Sequence, residues 1–135
     1  MIKLSKEKPY EDACKILGLR PVANYKSYKL TDETRNFIKL ETVAKALNEG
    51  WKPTTIDPKE VRCYVWGWNY TDNRKPSGLL TVNSNLGLGH AYALVGTSLE
   101  FKDEDTAKEF ARMCKPMIVK YLFGRDDHEN FKFDF

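Results

Sequence analysis

Four aromatic residues at alternate positions, Tyr64, Trp66, Trp68 and Tyr70, are the residues whose types and spacing best suit a binding chemistry. Residues two apart in a strand share a face, so the pattern predicts one wholly aromatic sheet surface opposite Cys63, Val65, Gly67 and Asn69. Exposed rings on a sheet stack on the bases of single-stranded nucleic acid, each stack contributing on the order of 1–3 kcal/mol. Arg62, Arg74 and Lys75 lie close enough in sequence to contact phosphates. The same face would serve equally as core beneath a helix, because aromatic side chains bury large areas. Both readings stand at this point.

A second candidate lies at the C-terminus. There Phe131, Phe133 and Phe135 alternate with Lys132 and Asp134, after the acidic residues Asp126, Asp127 and Glu129. Such a tail can dock on a partner protein, add a strand to a sheet edge, or hang loose. The remaining constellations read as structural. Asn85-Leu86-Gly87-Leu88-Gly89-His90 has the glycines of a phosphate loop, but a strand follows it where an anion-holding helix would be needed, so a hairpin turn is expected. His90 and His128 lack partners at metal-ligand spacing, so neither a metal nor a cofactor is expected. Cys14 and Cys114 fall on apolar helix faces and Cys63 opposes the aromatic face, which predicts buried thiols rather than nucleophiles. The acidic groups Glu11/Asp12 and Asp103/Glu104/Asp105 sit at helix starts, where capping explains them. No catalytic residue emerges.

The elements that must position these residues follow from periodicity. Tyr10 to Leu17 predicts a short helix opened by Pro9 and closed by Gly18. A second helix, capped by Thr31 or Asp32, turns Phe37, Leu40, Ala44 and Leu47 inward and stops at Gly50, with Trp51 folding back on its last turn. From Val61 the period changes to two. Strands are expected from Val61 to Tyr70, Leu79 to Asn83, His90 to Val95 and Leu99 to Phe101, paired antiparallel through short links. Asp103 then caps a twenty-residue helix whose stripe runs Ala107, Phe110, Ala111, Cys114, Met117, Ile118 and Tyr121. Pro116 predicts a kink near Arg112–Cys114, and Gly124 ends the helix. The fold class is therefore α+β: an N-terminal helix pair, a four-stranded antiparallel meander and a long C-terminal helix packed on the sheet. Residues 1–124 form a single domain and residues 125–135 its tail.

Composition narrows the setting. The 135 residues are 41% hydrophobic and 30% charged, with a formal charge of +3, which is too mild to argue for nucleic acid. Three scattered cysteines suit a reducing compartment. The chain shows neither the apolar core of a signal peptide nor a run of membrane-spanning length, so the cytoplasm is expected and a membrane partner is not.

Several segments together resemble a family of short, uncharacterised proteins carried by bacteriophages and prophages of gut bacteria. They are Glu11-Asp12-Ala13-Cys14-Lys15-Ile16-Leu17-Gly18, Ala44-Lys45-Ala46-Leu47-Asn48-Glu49-Gly50-Trp51-Lys52-Pro53, the aromatic strand ending near Trp66, and Val95-Gly96-Thr97-Ser98-Leu99 through Phe101-Lys102 and its helix. They span most of the chain in the same order, with departures at Pro116 and in the Phe-rich tail. The resemblance implies a phage or prophage setting, hence a bacterial host cytoplasm, and supplies no catalytic residues. The expectation is a non-enzymatic accessory protein that binds another protein. The alternative is a single-stranded nucleic-acid binder using the aromatic face, and a small enzyme with an unidentified site comes third.

Overall fold

The structure, a computed structural model, describes residues 2–52, 61–68, 79–86 and 99–135. Helix α1 (Pro9–Leu17) begins on Pro9, in the first turn where a missing N–H costs nothing. It ends at Gly18, whose φ of 69° lets the Leu19 N–H turn back to the Cys14 carbonyl at 2.8 Å. A single 3-10 turn (Val22–Asn24) then folds back along α1. The Ala23 N–H donates to the Tyr10 hydroxyl at 3.1 Å, and the Asn24 amide donates to Glu11 at 2.7 Å. Helix α2 (Asp32–Leu47) is capped by Thr31, whose hydroxyl accepts the Thr34 N–H at 3.1 Å.

Strands β1 (Val61–Trp68) and β2 (Leu79–Leu86) pair antiparallel, from Val61 opposite Leu86 to Trp68 opposite Leu79. Asn85 and Leu86, expected in a turn, extend β2 because they meet Arg62 and Val61 in register. Helix α3 (Glu104–Phe123) starts on Asp103, which accepts the Thr106 N–H at 2.7 Å. It kinks at Cys114, two residues before Pro116 and inside the expected window, and ends at Gly124 with φ 64°. The chain then passes a 3-10 turn (His128–Asn130) and adds β3 (Lys132–Phe133) to the free side of β2.

The α+β class and its three helices stand, but the antiparallel meander needs correction. Among the described residues the sheet is mixed and three-stranded, in the order β1-β2-β3, with β3 parallel to β2. Parallel pairing follows because the chain leaves β2 and returns only after traversing α3, as a parallel crossover requires. The expected strand from Leu99 to Phe101 shrinks to one antiparallel bridge, Phe101 to Cys63, with N–H···O distances of 2.7 and 3.0 Å. It can go no further, since Asp103 opens α3 two residues later and Asn48 binds the Glu100 carbonyl and the Lys102 N–H. The expected strand from His90 to Val95 lies outside the described residues.

One core joins these layers. α3 lies on the face of β1 that carries Cys63, Val65 and Gly67: Phe110 packs on Phe101 with centroids 4.7 Å apart, and Phe123 reaches Gly67. α2 packs along α3, where the buried Asn36 amide donates to the Met117 carbonyl just past the kink. A methyl group at Gly67 would sit 2.7 Å from the Phe123 ring and 2.8 Å from Leu80. Gly67→Ala should therefore destabilise the fold by about 1–3 kcal/mol through overpacking, measured by urea unfolding. Wild-type stability in that variant would show that α3 does not press on β1 there.

Candidate functional site

Arg62, Tyr64, Trp66 and Trp68 share one face of β1, and the first two of them meet almost no solvent. Arg62 is 2% exposed and Tyr64 is 6% exposed, while Trp66 is half-buried against the main core. The Arg62 guanidinium lies 3.8 Å from the Glu100 carboxylate, itself buried, so it is occupied within the fold. Removing a charge from water is costly unless an opposite charge accompanies it, which accounts for the pair. Trp68 is placed by its backbone opposite Leu79. Its side chain, and Tyr70, Arg74 and Lys75, lie outside the described residues.

The Phe-rich tail is built into the domain. Phe131 is fully buried with Leu80 and Val119, and stacks on Phe123 at 5.1 Å. Phe133 and Phe135 are half-buried and stack on each other at 4.9 Å. Lys115 lies over the first ring, and Lys108 and Arg112 over the second. These cation–π contacts give the basic side of α3 an aromatic cover supplied by the same chain. The preceding acidic residues are also engaged, since Asp127 accepts from Arg125 and from the Asn130 amide at 3.0 Å. Those contacts hold its carboxyl well below the ordinary carboxylate range.

All three cysteines are buried and reduced; burial pushes the Cys63 thiol up to about 11, and the Cys114 thiol higher still. No group of three metal-ligating side chains comes together among the described residues, and His90 lies outside them. Where α2, α3 and β1 meet, an apolar crevice lined by Leu40, Val65, Phe110 and Ile118 encloses about 10 Å³, room for a single water at most.

The surface that sequence reasoning passed over as a loop is the connection from α1 to α2. Of the four large apolar side chains exposed among the described residues, two fall here, Leu19 at 50% and Tyr28 at 50%, and a third, Ile16 at 47%, stands on the last turn of α1 beside it. Lys15, Arg20, Lys26 and Lys29 are exposed alongside them, and no acidic residue occurs between Asp12 and Asp32. Besides the Tyr10 hydroxyl at Ala23, one side chain holds the backbone at three points. The Arg35 guanidinium donates to the carbonyls of Ala23 at 2.7 Å, Tyr25 at 3.1 Å and Tyr28. Over that frame the Tyr25 and Tyr28 rings stack at 5.9 Å with planes 14° apart. The signal that would have found this surface is the acid-free interval itself, with two tyrosines three residues apart and four cations around them.

Compared with known proteins, the chain matches no family model, no curated protein and no solved structure. Among the described residues no helix is long and apolar enough to cross a membrane.

The helix caps that frame these surfaces carry a pH signature. Burial pushes the Asp103 carboxyl up, but hydrogen bonding from Thr106 and the charge of Lys102 outweigh it and hold the group below its ordinary value of 3.8. A depressed carboxyl adds stability above its unfolded pKa and loses it as pH falls through the folded value. Asp103→Ala should cost about 1 kcal/mol at pH 6 and flatten the stability loss as pH falls below the ordinary carboxylate value, measured by urea unfolding. An unchanged slope in the variant would deny Asp103 that role.

Proposed function

We propose that this chain is a non-enzymatic binding module that engages another protein through the α1–α2 connection. The observation that carries the reading is the coincidence, on one connection, of exposed apolar anchors with a backbone already fixed by Arg35. A surface that is ordered before binding loses less conformational freedom on contact, and exposed tyrosine and arginine side chains are frequent energetic centres of protein interfaces. The burial of Arg62 and Tyr64 supports this reading over an aromatic sheet platform. The resemblance to phage and prophage proteins supports an accessory role inside a bacterial host, with a host or phage protein as the target.

Photo-cross-linking from single positions tests this in the host cell. A benzophenone side chain at Tyr28 should give a discrete protein adduct, diminished severalfold when Leu19→Ser is added. The same group at the exposed Lys45 of α2 should give none. No adduct at Tyr28, or one that nuclease removes, would contradict the proposal.

A further inference from the structure

Resting on that reading, we infer that the α1–α2 connection takes an acidic protein segment that also carries apolar side chains. Charge is the first reason. Lys15, Arg20, Lys26 and Lys29 are all exposed, against Glu11, a carboxylate that meets the connection by accepting the Asn24 amide at 2.7 Å. The Arg35 charge, held on the carbonyls of Ala23 and Tyr25, adds to the same field. A surface with an excess of one sign steers a partner of the opposite sign and disfavours one of its own.

The apolar anchors are the second reason, and they separate a protein from a nucleic acid. Ile16 and Leu19 present aliphatic side chains, for which a polynucleotide offers little counter-surface while Leu or Phe side chains of a peptide offer much. Tyr25 and Tyr28 each turn a ring face to the other, so neither ring is open on both sides to successive bases. Tyr28, half-exposed at the outer end of the stack, supplies an aromatic body with a polar tip, the kind of side chain enriched in interfaces.

Fluorescence anisotropy with three labelled probes and the full chain provides the test. The probes are a peptide of alternating acidic and apolar residues (Asp-Leu-Glu-Phe repeats), its Asn/Gln isostere, and a 15-nucleotide oligothymidine. The acidic peptide should bind at least about threefold more tightly than the isostere, and raising salt from 50 to 300 mM should remove that preference. Tyr28→Ala and the pair Lys26→Gln/Lys29→Gln, which alter exposed side chains and leave the Arg35 contacts to backbone carbonyls intact, should each weaken it severalfold. Equal binding of acidic peptide and isostere would overturn the charge preference while leaving a protein-binding surface in place. Binding of neither peptide would overturn the inference. Tyr28-dependent binding of oligothymidine in preference to both peptides would overturn the inference and the protein-binding reading together.

Discussion

The structure depends on the burial of β1 from both sides. Its Cys63/Val65/Gly67 face must admit α3, which forces a residue without a side chain opposite Phe123 and allows Phe110 to reach Phe101. Its other face is closed at Arg62 and Tyr64, so the one charge placed there has to be balanced by Glu100. That demand explains why Glu100 is buried and why the Leu99–Phe101 segment is anchored so firmly, by the Cys63 bridge on one side and by Asn48 on the other. A partner removed from such a buried pair would leave a naked charge, so the two residues hold strand and segment in a single register.

The same constraint takes Arg62, Tyr64 and Val65 of β1 out of solvent, and β3 covers the outer edge of β2 at Leu79 and Leu80. Among the described residues, the α1–α2 connection with the last turn of α1 brings exposed aromatic, aliphatic and cationic side chains together over an ordered backbone. Its order comes from its 3-10 turn, from the Tyr10 and Glu11 contacts to α1, and from one guanidinium satisfying three carbonyls.

Much of the fold was legible because local signals sufficed. Gly18, Thr31, Asp103, Pro116 and Gly124 each act within one turn of their own position, and each does what its residue type predicts. The period of two from Val61 likewise found β1, and the spacing of Phe131, Phe133 and Phe135 allowed an edge strand. What was not legible depends on distant partners. Nothing local distinguishes a strand that pairs with its neighbour from one that waits for α3 to bring it back in parallel, as β3 does. Alternation shows which residues of β1 share a face, but exposure is decided by what lies over it, and the burial of Arg62 needed Glu100, thirty-eight positions away. The loop surface went unread for another reason: its significance lies in the absence of acids across the interval, and a missing residue type leaves no motif.

The central claim is that, among the described residues, Tyr28 offers an accessible aromatic surface and Tyr64 of β1 does not. Tyrosine-selective labelling of the native chain under single-hit conditions, followed by peptide mapping, tests it directly. Tyr28 should react faster than Tyr10 and Tyr64, both almost wholly buried and protected until the protein is unfolded. Rapid labelling of Tyr64 with Tyr28 protected would contradict the account and return the aromatic strand to the surface.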